Sequence, residues 1–214
     1  MKSAAFIKEE AINWVLMGLP VIYLLCVYDR LPPFAPIPLV WEQSIYYLLI
    51  FNTALTVIWY LILTIKPAIV PKTTLHENLR SLHRIKTLLL CFISLLSISY
   101  ISQKIGIKFN WSKIGFLLAM AFVMIFGNLY PTIKSNFIIG IKNAWTLSDE
   151  RVWNKTHRFA GKVYFLGGLI GVLYGLFVNT SSLPPYMPVI YVGYVFALLL
   201  LTHIYSFIQY RELQ

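Results

Sequence analysis

Long apolar runs separated by short polar connections set the pattern of this chain, and their lengths match helices that cross a membrane. The pattern predicts six of them, at about 11–28, 44–65, 87–102, 114–130, 159–178 and 186–209, within a single six-helix membrane domain covering 1–214. Glu9 and Glu10 stand where a signal peptide would carry basic residues, so the first run is read as a retained helix, with a kink expected at Pro20. Pro32, Pro33, Pro36 and Pro38 forbid a regular helix across 29–43 and predict a stiff, extended loop. Tyr46, Tyr47, Trp59 and Tyr60 suit the two membrane interfaces at the ends of the second helix, which Pro67 and Pro71 terminate.

The longest polar interruption runs from Gly127 to Gly161, GNLYPTIKSNFIIGIKNAWTLSDERVWNKTHRFAG. Pro131 closes the fourth helix, and no clean period follows until Trp145. Thr146 or Ser148 then offers an N-cap, with Asp149 and Glu150 in the first turn where negative charge suits the helix dipole. A helix from Ser148 to Val178 would measure about 46 Å, against about 30 Å of hydrocarbon, so its first turns are expected to form an interfacial or cytoplasmic cap before the fifth span, with Gly161 a candidate bend. Arg151, Lys155, Arg158 and Lys162 fall at spacings of four, three and four and form one basic stripe, while Glu150, Asn154, His157 and Gly161 form a second polar line beside Trp153. Further along, Gly167, Gly171 and Gly175 repeat every four residues, and Gly161, Gly168 and Gly175 every seven, which predicts a close-packed helix seam.

Composition supports the membrane reading. Of the 214 residues, 58% are hydrophobic and 12% charged, with a mean hydropathy of +0.71, more apolar surface than one soluble core of this size hides. The net charge of +10 comes from basic residues set between apolar runs, which fits anionic headgroups better than nucleic acid. With six helices, fourteen Lys and Arg fall on the side of the termini and four on the other side. The positive-inside rule therefore places both termini, the 66–86 connection and the 131–161 motif region in the cytoplasm, and the proline loop outside, in a multi-pass membrane protein.

Candidate chemistry is sparse. Cys26 and Cys91 lie in separate apolar runs, in opposite halves of the bilayer, and predict no disulfide. His76, Arg80 and His83 share one helical face, but HENLR lacks the second histidine of HExxH, and a solvated or headgroup-facing helix start is the plainer reading. His203, with Ser206 and Tyr210 at helical spacing, is expected to make an interhelical hydrogen bond. His157 is read either as an interfacial histidine with its partners satisfied or as a titrating or ligand-contacting one. Neither a carboxylate pair, a nucleophile with its base, a metal triad nor a phosphate loop is present, so no enzyme activity, metal or cofactor is expected. A small transporter or lipid-binding membrane protein is the competing class, although no inverted repeat points to transport.

The run GNLYP, then KSNF and GIK, then WTLSDERVWNKTHR, resembles the signature of the SdpI family of bacterial immunity and signalling membrane proteins. The resemblance is dense from Gly127 to Gly161 and marks Asn128, Pro131, Asn136, Gly140, Trp145, Thr146, Leu147, Ser148, Glu150, Trp153, Lys155, Thr156, His157, Arg158 and Gly161 as motif positions. Departures are Ser135 where proline is common, Lys142 for arginine, and Asn143 and Ala144 for a Thr-Pro pair. Leu19, Pro20, Leu31, Pro32, Ile37 and Pro38 are similar to the small domain that opens many family members, whereas Val40, Trp41 and Glu42 depart from it. The resemblance implies protection from a secreted toxic peptide and capture of a small winged-helix repressor at the membrane.

Overall fold

The computed structural model describes residues 2–31, 53–54, 56–62, 64, 78–178 and 187–213, and the regular elements among them are helices. They are α1 (Lys2–Cys26), α2 (Leu79–Lys104), α3 (Trp111–Leu129), α4 (Ala144–Ser148), α5 (Glu150–Phe177) and α6 (Met187–Glu212), with 3-10 turns at Tyr28–Arg30 and Tyr130–Thr132. By length and composition, four stretches among the described residues can cross a membrane: Leu79–Lys104, Trp111–Thr132, Glu150–Phe177 and Val189–Glu212. The proline loop beyond Leu31, most of the expected 44–65 helix, His76 and the 179–186 connection lie outside the described residues.

Two compact units make up the chain, Met1–Ile65 with Lys86–Leu118 and Lys66–Ile85 with Ala119–Gln214. In the first, α1 starts at Lys2 rather than at 11, so the charged lead is itself helical. Glu10 and Asn13 are buried, and Glu10 pairs with Lys86, whose side chain is also buried. Tyr60 donates to the same carboxylate at 3.1 Å and Asn13 donates at 3.2 Å, while Thr87 donates to Asn13 at 2.8 Å. Lys86 thus ends the basic 66–86 connection as a buried residue. A cation withdrawn from water is tolerated only beside a counter-charge and hydrogen bonds, and Glu10 supplies both. Arg80 and Arg84 do occupy the exposed face, because Ser81, Leu82 and Ile85 carry the buried face of a helix that begins at Leu79, two turns before the expected start.

The second unit is held by glycine-permitted approaches to α5. A Cβ added to Gly127 would sit 2.4 Å from the Phe165 backbone nitrogen, and one on Gly168 would sit 2.4 Å from the backbone nitrogen of Met124. Glycines on both α3 and α5 thus allow their backbones to approach closely where apolar side chains alone would give little selectivity. On another side of α5, Gly167 meets Leu198 and Tyr194 of α6, Tyr164 meets Thr202 at 3.1 Å, and Phe159 stacks on Tyr205. Polar crossings between α5 and α6 are made by Thr202 and by Tyr194, which donates to the Gly167 carbonyl at 3.0 Å. His203 is exposed and bonds the Leu199 carbonyl of its own helix at 3.0 Å, which corrects the expected interhelical role. Thr202, one position earlier, lies on the buried face of α6, and this register decides between the two.

Candidate functional site: a loop closed over Trp153 and His157

The polar interruption folds as a strap across the first turns of α5. Asn136 starts it: its Oδ1 accepts the backbone N–H groups of Ile138 and Ile139 at 2.7 and 2.9 Å, and its Nδ2 donates to the Lys134 carbonyl at 2.6 Å. An asparagine bonded to its own downstream backbone fixes a tight turn. Gly140 then takes φ +126°, with room for no side chain, since an added Cβ would lie 2.6 Å from His157 Nε2 and 2.8 Å from the Trp153 ring. Asn143 caps α4 by accepting from Thr146 N–H at 2.9 Å, while its own N–H donates to Thr146 Oγ1 at 3.1 Å. The Thr146 hydroxyl also donates to the Ile141 carbonyl at 2.7 Å, and Asn143 Nδ2 reaches Ser206 on α6 at 2.8 Å.

Beneath the strap lies an aromatic core. Trp153 is fully buried, donates its indole N–H to the Ile133 carbonyl at 2.8 Å and stacks on His157 with ring centroids 4.0 Å apart. His157 Nε2 accepts the Ile141 N–H at 3.1 Å, and Nδ1 faces the Trp153 carbonyl at 2.9 Å. Both contacts are satisfied together by the neutral ring with its proton on Nδ1. Tyr130 and Tyr164, 5.0 Å apart, close the core with Ile85, Ile141 and Ala160. Pro131 packs on Gly161, where an added Cβ would come within 2.7 Å of the proline ring, so Gly161 is a contact point within the helix Glu150–Phe177. The N-terminal part of α2 pins the strap's base: Ser81 donates to the Thr132 carbonyl at 2.9 Å and Asn78 accepts the Lys134 N–H at 2.9 Å.

Two local expectations change. The N-cap of α5 is Asp149, which accepts the Arg151 N–H at 2.7 Å, whereas Thr146 and Ser148 belong to α4. The extended backbone at Asp149 breaks the helix there, and the acidic cap faces the dipole that favours it. Hydrogen bonds from the Arg151 side chain and backbone hold the Asp149 carboxyl down to about 2. The pattern also offers Trp145 and Trp153 as interfacial anchors for this stretch; Trp153 is instead a core residue, while Trp145 is half-buried edge-on to Phe207 at 5.3 Å.

Residues 132–208, spanning the strap, α4, α5 and most of α6, match the model of the SdpI/YfhL protein family. Over these residues the chain is similar to the SdpI/YfhL family. The chain is 29% identical over 217 residues to the "Immunity protein SdpI" of Bacillus subtilis (strain 168), a match covering 96% of this chain and 98% of that protein. It is 28% identical over 67 residues to the "Uncharacterized protein YfhL" of the same organism, covering 31% of this chain and 59% of that one. No solved structure matches it.

Among the motif positions, Asn136, Gly140, Thr146, Trp153, His157 and Gly161 meet in the strap and its core, with Leu147 packed against it. Asn128, Glu150, Lys155 and Arg158 are exposed and stand apart from that core, as does Ser148, whose hydroxyl bonds the Trp145 carbonyl. Thr156 is fully buried, and its hydroxyl has no hydrogen-bond partner among the described residues. The second polar line therefore divides: Glu150 and Asn154 face outward, His157 and Gly161 inward. The basic stripe is exposed along its whole length, with Arg151 forked onto Asp149 and Lys155, Arg158 and Lys162 in no ion pair among the described residues. Of the seam glycines, Gly167 faces α6, Gly168 and Gly171 face α3, and Gly175 is buried. Sequence reasoning passed over Asn78 and Ser81 and named Asn143 only as a departure, although an Asn three residues before a Thr at a helix start is a readable capping signal.

Proposed function

We propose that this chain is a membrane immunity protein that protects its host from a secreted toxic peptide. It crosses a bacterial inner membrane six times, with both termini and the 131–161 region in the cytoplasm. The observation that carries the reading is the end-to-end match to an immunity protein, 96% of one chain against 98% of the other. The arrangement of the motif agrees with it: six motif residues are used to hold one strap shut, and the neighbouring α5 face is left open and cationic. Lys155, Arg158 and Lys162 form the docking surface, where anionic headgroups or the acidic face of a cytoplasmic partner, the repressor that the family resemblance implies, would be held. No catalytic step is assigned.

The test is expression in a sensitive bacterium challenged with a panel of Sdp-type peptides. Survival is expected, and unchanged killing across the panel overturns the reading. In the same assay Arg158→Ala should abolish protection with insertion intact. Protection retained when Arg151 and Arg158 are both lysine would reduce the stripe to generic charge.

A further inference from the structure

Phe137 is 74% exposed at the tip of the strap, although Ile133, Asn136 and Ile141 around it are buried. A single exposed apolar side chain on a soluble protein needs no explanation. This one is presented by a fixed turn. Asn136 makes three hydrogen bonds beneath it, and the Lys142 ammonium donates to the Phe137 and Ile138 carbonyls at 3.4 and 3.1 Å. Lys134 and Lys142 are both exposed, three positions before and five after Phe137 in the chain. The turn follows the end of the Trp111–Thr132 span by five residues, at most about 17 Å of chain, so the ring remains within reach of the headgroup layer.

We propose that Phe137 is a preformed membrane wedge, inserted at the headgroup boundary with Lys134 and Lys142 on the phosphates of anionic lipid. An apolar ring beside snorkelling ammonium groups is the chemistry of interfacial anchoring. Because the Asn136 turn and Gly140 already hold the strap, insertion requires no further ordering of the backbone. The proposal deepens the membrane part of the reading above and does not depend on immunity.

The test uses the full chain with Cys26→Ser and Cys91→Ser, carrying a nitrobenzoxadiazole label on Phe137→Cys, reconstituted in phosphatidylcholine vesicles with or without phosphatidylglycerol. The expected result is emission blue-shifted from the same label on glutathione, quenching by lipid bearing a shallow nitroxide, and protection from aqueous iodide. The shift should be larger with phosphatidylglycerol, and Lys134→Gln with Lys142→Gln should remove that increment. Lys142→Cys, which keeps Phe137, carries the label should Phe137→Cys fail to fold. Water-like emission with full iodide quenching overturns the wedge. A blue shift without nitroxide quenching overturns it too, since the ring would then be covered by protein. Equal shifts in the two lipids overturn the anionic preference. No immunity is read, so a toxin panel that fails leaves this result standing, and the reverse also holds.

Discussion

His157 Nε2 accepts the backbone N–H of Ile141 at 3.1 Å, tying a residue two turns into α5 to a loop sixteen positions earlier in the chain. The Trp153 indole makes the parallel tie to Ile133 at 2.8 Å, so two stacked rings hold both ends of the strap. His157→Ala should leave the Ile141 N–H unpaired and a void beside Trp153, costing on the order of 2–4 kcal/mol. Thermal unfolding in detergent measures this; a melting temperature equal to the parent's would show that the strap closes without the histidine. Loss of protection by His157→Ala is informative only alongside that measurement.

Gly140 and Gly106 both have positive φ, +126° and +78°, but their surroundings differ. Alanine at 140 would meet His157 and Trp153 within 3 Å, whereas at 106 nothing lies within 4 Å. Gly106→Ala should cost about 1 kcal/mol from backbone preference alone, and Gly140→Ala severalfold more. Equal melting temperatures for the two variants would contradict the contact at 140.

Gly168 and Gly171 separate rigid from yielding neighbours. An added Cβ on Gly168 meets the Met124 backbone at 2.4 Å, while on Gly171 it meets the Met120 sulfur at 2.5 Å. A thioether can swing aside and a backbone cannot. Gly168→Ala should therefore lower stability by several kcal/mol, in the range of an overpacked core, and Gly171→Ala by about 1 kcal/mol or less. The order of their unfolding midpoints decides the point.

Glu10 and Lys86 form a buried pair. Glu10→Gln alone leaves a buried ammonium without its counter-charge, and Lys86→Met alone leaves the carboxylate, so each should cost about 3–5 kcal/mol, with the double variant closer to the parent. A double-mutant cycle on unfolding free energy measures the coupling; strictly additive losses would show that the two charges do not stabilise each other.

Local patterning determined much of this protein. Apolar runs of helical length, the acidic start of α5, the outward line of Arg151, Lys155, Arg158 and Lys162, and the glycine repeats were all readable, because each depends on spacing along one helix. Pattern could not separate Trp153, wholly buried, from Trp145, half-buried against Phe207. In a membrane chain an apolar side chain reads the same whether it faces lipid or protein, and only the tertiary structure assigns the partner. The same holds for Lys86 and His157, whose polar type predicts a surface until Glu10, or the Ile141 N–H, is brought from a distant part of the chain to satisfy it.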